Sequence, residues 1–171
     1  MTYGTLGTIS HGTLRSEDLL ETFADELARL NRGSEKSPGA AALIAEARET
    51  RECLENDPDC VDVDIREAAS EVIAELIDAL HEFAPPFCYF GAHEGDGSDF
   101  GFWPSMEAVS DAVYSGDAMQ VNAGDDILPA LAEHVRKHSE LPSYAVSVTD
   151  HGNVTVSTLE SVDLAEVWSI V

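Results

Sequence analysis

The residues between Gly91 and Asp99 are of types that bind cations. This stretch carries one histidine, three acidic residues and three glycines. Carboxylate oxygens are ligands for hard cations such as Ca²⁺, and glycines permit the tight backbone turns of a binding loop. The ligand spacing does not match an EF-hand. The alternative interpretation is a structured Gly/Asp turn whose side chains bond local amides. The residues of this candidate loop site are His93, Glu94, Asp96, Asp99 and Trp103.

Histidines stand in three turn-like contexts, at His11, His93 and His151. If these loops converge, the three imidazoles and a carboxylate bind zinc or iron. A bound cation lowers the pKa of its water, so the protein would be a small metal-dependent hydrolase that also uses Asp96 and Asp99. Isolated histidines otherwise serve as turn or hydrogen-bonding residues. A divalent metal is therefore the one cofactor candidate, and no other catalytic or nucleotide-binding motif is present.

The net charge is the most unusual property of the composition. The 171 residues include 33 acidic and 9 basic side chains, for a formal net charge of −24. Nucleic acids and anionic membranes bind to clustered lysines and arginines. We therefore expect no direct contact with nucleic acid and no membrane binding. The chain also lacks the run of about 18 apolar residues that a membrane span requires.

The cysteines and the N-terminal sequence bear on the cellular compartment. Cys53, Cys60 and Cys88 form neither a disulfide framework nor a zinc pair, which predicts reduced thiols. The first residues lack the basic and apolar regions of a secretory signal. We expect a cytoplasmic protein.

Five acidic residues are spaced 4, 4, 3 and 4 residues apart, which places them on one side of a helix. No lysine or arginine occurs between Arg66 and Arg136 to compensate them. Carboxylates about 6 Å apart along a helix approximate the phosphates of one nucleic-acid strand. This pattern predicts a surface for a basic partner, and the alternative is a solvated polar face. The acidic stripe consists of Glu67, Glu71, Glu75, Asp78 and Glu82.

The hydrophobic pattern predicts an α+β fold in a single domain, 1–171, with an antiparallel sheet and several helices packed on one face. Residues 91–99 are expected to be a loop that joins two strands of a hairpin. Ser16, Asp64 and Ser105 are expected to start helices. His134 and His138 are expected at the surface. The predicted helices are 16–31, 37–54, 64–83, 105–114 and 127–138, and the predicted strands are 3–10, 87–90, 100–103, 118–121, 144–149, 154–159 and 166–171.

Four stretches carry motifs: Ile-Ser-His-Gly-Thr within 7–20, Tyr-Phe-Gly-Ala-His-Glu-Gly-Asp-Gly within 84–104, Asp-His-Gly-Asn-Val within 150–155, and Glu-Val-Trp-Ser-Ile-Val at 166–171. On these motifs the chain resembles an uncharacterised family of small proteins from phages, plasmids and bacterial genomes. Many members of that family carry proline at the position of Glu94. The glutamate of this chain adds an acidic side chain and loosens the loop. The resemblance implies a mobile-element setting and no particular chemistry.

Three functions are consistent with these observations. The first is a phage or mobile-element accessory protein whose acidic stripe binds and inhibits a basic host protein, such as a restriction or CRISPR effector, by nucleic-acid mimicry. The second is the metal-dependent hydrolase. The third is a salt-adapted globular domain whose acidity serves solubility. We favour the first, which is not an enzyme, and we leave homo-oligomer formation open.

Overall fold

The computed structural model describes residues 3–32, 39–56, 63–122, 124–149, 151–160 and 163–170. Within these ranges the chain forms five helices and two sheets, so the predicted α+β class is confirmed. The chain folds as two compact units. Unit 1 comprises Met1–Ala84 and Cys88–Pro104, and unit 2 comprises Pro85–Phe87 and Ser105–Val171. The expectation of a single domain stays a prediction.

Unit 1 combines a three-stranded antiparallel sheet with three helices. The strands lie in the order β1-β3-β2, and helices α1 and α3 contact the sheet while α2 packs on α1 and α3. The elements are β1 (Gly7–His11), α1 (Ser16–Leu30), α2 (Ala40–Asn56), α3 (Val63–His81), β2 (Cys88–His93) and β3 (Asp96–Pro104).

The core of unit 1 is formed by the apolar faces that helical spacing predicts. Phe23 of α1 is fully buried, and its ring meets that of Phe90 of β2 edge to face at 5.2 Å. Leu76 and Leu80, one turn apart on α3, are also fully buried. Burial of these large side chains fixes which face of each helix turns inward, because each contributes about 1.5–3 kcal/mol.

The starts of the helices differ in detail from the predictions. Arg15, not Ser16, is the residue that precedes α1, and it makes no side-chain capping bond. Helix α3 begins at Val63, one residue before Asp64. The predicted start of α2 at Ser37 lies outside the described residues.

The predicted loop over 91–99 is wrong. Strands β2 and β3 pair down to His93 and Asp96, so Glu94 and Gly95 alone connect them. Backbone N–H and C=O groups form hydrogen bonds between strands whatever the polarity of the side chains. Glycine can also adopt the extended conformation of a strand. A shift in register between Ala92 and His93 accommodates the tight connection.

Unit 2 contains a four-stranded sheet in the order β4-β5-β6-β7, together with two helices. The hairpin of β5 and β6 is antiparallel, as predicted. Strands β4 and β5 are parallel because α5 returns the chain between them, so this second sheet is mixed, whereas the sheet of unit 1 is antiparallel as predicted. The elements are α4 (Met106–Ser115), β4 (Ala118–Asn122), α5 (Ile127–His138), β5 (Tyr144–Val148), β6 (Val154–Glu160) and β7 (Asp163–Ile170).

The helices of unit 2 have well-defined ends. The Ser105 hydroxyl accepts a bond from the Ala108 amide at 3.1 Å, as the predicted cap requires. Gly116 ends α4 with a positive φ of 95°. Pro129 is tolerated because it lies in the first turn of α5, where amide hydrogens lack helical partners. No helix in the described part of the chain has both the length and the apolarity to cross a membrane.

Candidate functional site

The acidic stripe lies on the outer side of α3. Ala69, Val72, Leu76 and Leu80 turn inward from that helix, and the acidic side chains lie on another part of its circumference. All five acidic residues are exposed, and Glu82 lies one residue beyond the helix end. The sequence spacing therefore places the five residues on one continuous, accessible surface.

Four arginines of unit 1 form ion pairs with acidic residues outside the stripe. Those on α1 and α2 form ion pairs within and between these two helices, and Arg15 pairs with Glu17. The pairs are Arg29–Glu26, Arg48–Asp25, Arg51–Glu21 and Arg51–Glu55. Among the described residues, none forms an ion pair with Glu67, Glu71, Glu75 or Asp78. Within the described part of the chain, no ion pair neutralises the charge of these four carboxylates.

A groove of about 270 Å³ runs between α2 and α3 beside the stripe. Ile65 and Ala68 supply apolar surface on the α3 side, and Glu46 and Glu49 are exposed on the α2 side. Ala68 lies three residues before Glu71, so the two are neighbours on the helix surface. The groove is therefore apolar within and acidic along both sides. The described residues that line it are Glu46, Glu49, Thr50, Cys53, Ile65 and Ala68.

Part of the candidate loop site lies where β1 pairs with β3. His11 is opposite Asp99 in the register, and His11 Nδ1 lies 3.8 Å from Asp99 Oδ2. The other oxygen, Oδ1 of Asp99, is buried and has no hydrogen-bond partner among the described residues. This carboxylate faces one histidine and retains one free oxygen.

His93 and Trp103 contact each other on the neighbouring strands. Their rings meet edge to face with centroids 4.7 Å apart. The Gly95 amide donates to His93 Nδ1 at 3.0 Å, and the Trp103 indole N–H donates to the Gly91 carbonyl at 3.0 Å. Both side chains are thus held by the backbone of their own hairpin.

Asp96 is held by the turn that follows it. Its Oδ1 accepts bonds from the Ser98 amide at 2.9 Å and the Ser98 hydroxyl at 2.8 Å. These bonds lower the pKa of Asp96, and His11 and His93 lower it slightly further. The arrangement is the local amide bonding expected of a structured Gly/Asp turn. Glu94 is exposed at the tip of the hairpin.

The histidines considered as metal ligands are distributed over both units. His11 and His93 belong to unit 1, whereas His151 belongs to unit 2, between β5 and β6. In the ranges that the structure describes, no three His, Cys, Asp or Glu side chains are placed to hold a metal ion.

The prediction that His134 lies at the surface is wrong. The residue is 7 % exposed, and its ring stacks on His138 with centroids 4.6 Å apart and planes at 26°. Burial lowers the pKa of His134, the neighbouring His138 lowers it further, and a hydrogen bond with the Gly116 backbone opposes the shift. The sequence signal for this burial is that His134 lies four residues after Ala130, so that both side chains are on one face of α5.

Comparison of the chain with protein-family models, curated proteins and solved structures finds no match.

Proposed function

We propose that the protein is a cytoplasmic accessory protein of a phage or mobile element that binds and inhibits a basic host protein. The partner is a nucleic-acid-binding defence effector of the restriction or CRISPR type, and the acidic stripe occupies its nucleic-acid groove. The observation that carries the proposal is the exposed stripe along α3, in which Glu67, Glu71, Glu75 and Asp78 form no ion pair among the described residues.

The energetics of the stripe favour a binding role over solubility alone. Like charges one helical turn apart destabilise a helix by about 0.2–0.5 kcal/mol per pair. A surface selected for solubility intersperses both signs of charge, as α1 and α2 do with their arginines. Helix α3 carries one arginine, Arg66, ahead of the stripe and no lysine or arginine within it, so a compensating benefit on binding is expected.

The groove beside the stripe suits the side chains of a nucleic-acid-binding surface. Arginine and lysine pack their aliphatic stems on apolar surface and present a cation at the end. Ile65 and Ala68 offer such surface, and Glu49 and Glu71 offer carboxylates near it. A partner rich in arginine is thus matched in both polarity and charge.

Electrostatic complementarity gives the interaction a characteristic salt dependence. Complementary fields raise association rates by about 10–1000-fold at low ionic strength. Exposed charges are largely screened beyond about 8 Å at physiological salt. We expect the association rate to fall steeply with added NaCl, while the dissociation rate changes less.

The direct test is inhibition of a panel of purified restriction nucleases and CRISPR effector complexes. The variant Glu71→Lys/Glu75→Lys reverses the centre of the stripe. The matched control Glu107→Lys/Asp111→Lys makes the same charge change at two exposed positions, also four residues apart, on α4. We expect the stripe variant to lose inhibition by about tenfold or more and the control to retain it. Equal loss in both variants, or inhibition of no panel member by the unaltered protein, would contradict the proposal.

The metal-dependent hydrolase is the second candidate, favoured by one observation. His11, His93, Asp96 and Asp99 lie at the same end of the unit 1 sheet, and Asp99 Oδ1 lacks a partner among the described residues. Metal analysis of protein purified without chelators tests it, together with thermal shifts on adding Zn²⁺, Mn²⁺ or Ca²⁺. Stoichiometric metal that is lost in Asp99→Asn would support this candidate.

The salt-adapted domain makes a different prediction. Its acidic surface would need high salt to relieve charge repulsion, so the melting temperature would rise strongly between low and molar NaCl. A chain that is fully folded in low salt does not need this explanation.

A further inference from the structure

Two histidines of α5 occupy neighbouring positions on one helix face. His134 and His138 are four residues apart, and their rings are in contact at a centroid distance of 4.6 Å. Histidines at this spacing supply two ligands to one metal ion in helical zinc sites. Neither residue belongs to the candidate loop site or to the acidic stripe.

The hydrogen bonds of His134 leave one nitrogen available as a ligand. Nε2 is buried and has no partner among the described residues, so the hydrogen bond with the Gly116 backbone involves Nδ1. The Gly116 amide is already committed to Ala112, which leaves its carbonyl as the acceptor for Nδ1–H. A backbone carbonyl on one ring nitrogen is the usual arrangement that orients a metal-binding histidine through its other nitrogen.

Gly116 also positions His138. A Cβ atom at residue 116 would lie 2.5 Å from His138 Nδ1, so the absence of a side chain is what lets this ring pack over the end of α4. Gly116 thus affects both imidazoles. Its backbone forms a hydrogen bond with His134, and its lack of a side chain leaves room for the ring of His138.

A cavity of about 220 Å³ adjoins the two rings. Its volume exceeds the roughly 30 Å³ that one water occupies in the liquid, so an ion with several water ligands fits. Glu133 is a further oxygen donor at its edge, although it is paired with Arg136. The cavity is lined by Val113, Ala118, Met119, Gln120, Ala130, Glu133, His134, Lys137 and His138.

We propose that His134 and His138 bind a divalent transition-metal ion of the zinc type, with water completing its coordination. Imidazole suits Zn²⁺, Ni²⁺ and Cu²⁺, whereas Ca²⁺ and Mg²⁺ prefer oxygen ligands. His134 is the fixed ligand, and the half-buried ring of His138 turns from its stacked position to share the ion. Because a buried acceptor without a partner is destabilising, ligation at Nε2 removes an existing penalty.

Calorimetric titration of the untagged protein with ZnCl₂ at neutral pH tests the site. We expect one equivalent of Zn²⁺ to bind. We expect His138→Ala to weaken binding by about tenfold or more, because loss of even a residue that only orients a metal ligand typically lowers metal affinity about 10–100-fold. The controls His151→Ala and His11→Ala remove histidines of the other candidate set and should bind as the unaltered chain does. Binding that survives His138→Ala would overturn the proposal.

A second measurement does not depend on any variant folding. In a ¹⁵N spectrum of the histidine rings, the zinc-free protein should show His134 as the Nδ1–H tautomer, and zinc should shift its Nε2 resonance. Zinc that shifts only His11, His93 or His151 would overturn the proposal and favour the hydrolase site. CaCl₂ in place of ZnCl₂ should leave the His134 resonances unchanged.

Discussion

Arg51 of α2 forms an ion pair with Glu21 of α1, with Nη1 and Oε1 3.0 Å apart. The guanidinium side chain is 31 % exposed and also contacts Glu55. Arg51 therefore pairs with carboxylates of both α1 and α2. The described side chains that line the groove between α2 and α3 include two glutamates and no arginine or lysine.

The first prediction compares two arginines of α2. Arg51→Ala removes two ion pairs from a partly buried position, and we expect it to lower the free energy of unfolding by about 1 kcal/mol. Arg48→Ala removes one pair between side chains that are 60 % and 66 % exposed, and we expect almost no change. Urea unfolding of both variants measures the difference. Equal losses would show that burial of Arg51 does not matter.

The second prediction concerns the stripe and has opposite signs for stability and binding. Glu71→Lys replaces repulsion with Glu67 and Glu75 by attraction on the same helix. We expect the free energy of unfolding to rise by about 0.5–1.5 kcal/mol at low salt, and the gain to shrink at 1 M NaCl. Inhibition of the partner should fall in the same variant. A variant that loses both stability and inhibition would point to misfolding instead.

The third prediction concerns pH. The pKa of His134 is lower in the folded chain than the ordinary value of about 6.5, so the unfolded chain binds more protons between the two values. Stability should therefore fall as pH drops below about 6.5 and level off below the folded pKa. Among the described residues that line the cavity at this ring, the titratable or charged groups are Glu133, Lys137 and His138 of α5, and those from α4 and β4 are uncharged.

This pH dependence is measured by urea unfolding of chelator-treated protein between about pH 5 and 7.5. His134→Gln should flatten the profile in that window, whereas His151→Ala should keep it. An unchanged slope in His134→Gln would assign the effect to other groups.

The fourth prediction concerns thiol reactivity. Burial raises the pKa of Cys88 to about 12, so almost none of it is thiolate at about pH 8, whereas Cys53 is exposed on the groove. In a Cys60→Ser background, a disulfide reagent should react rapidly with one thiol and with the second only after denaturation. Rapid reaction of two thiols in the folded protein would contradict the burial of Cys88.

The fifth prediction concerns a close approach of β1 and β3. A Cβ atom at Gly101 would collide with the Gly7 carbonyl, whereas one at Gly97 meets nothing within 4 Å. We expect Gly101→Ala to destabilise the protein by about 1–3 kcal/mol and Gly97→Ala to be neutral or slightly stabilising. Thermal unfolding compares the two, and similar melting temperatures would argue against that packing.

The sequence predicts the elements whose information is local. The spacing of Leu20, Phe23 and Leu27 identifies α1 and its buried face. The spacing of the acidic residues likewise places them on one outer surface of α3, because both follow from the helical period of 3.6 residues. The Ser105 cap and the hairpin of β5 and β6 are recognisable for the same reason.

Features that depend on distant partners are not predictable in this way. The parallel pairing of β4 with β5 is set by the path of α5, and nothing within either strand encodes its direction. The polarity of residues 91–99 indicates a loop, although the backbone continues to pair beneath those side chains. The ring of His138 packs against Gly116 at the end of α4, and the Gly116 backbone also interacts with the buried His134, contacts that the sequence of α5 does not reveal.

The two tryptophans donate their indole hydrogens to carbonyls of their own units, Trp103 to Gly91 in unit 1 and Trp168 to Pro86 in unit 2. Each unit consequently possesses an intrinsic fluorophore. Trp168→Phe leaves emission from unit 1 alone, and Trp103→Phe leaves emission from unit 2 alone. Coincident denaturation midpoints in the two variants would mean that the units melt as one cooperative body, and separated midpoints that each melts on its own.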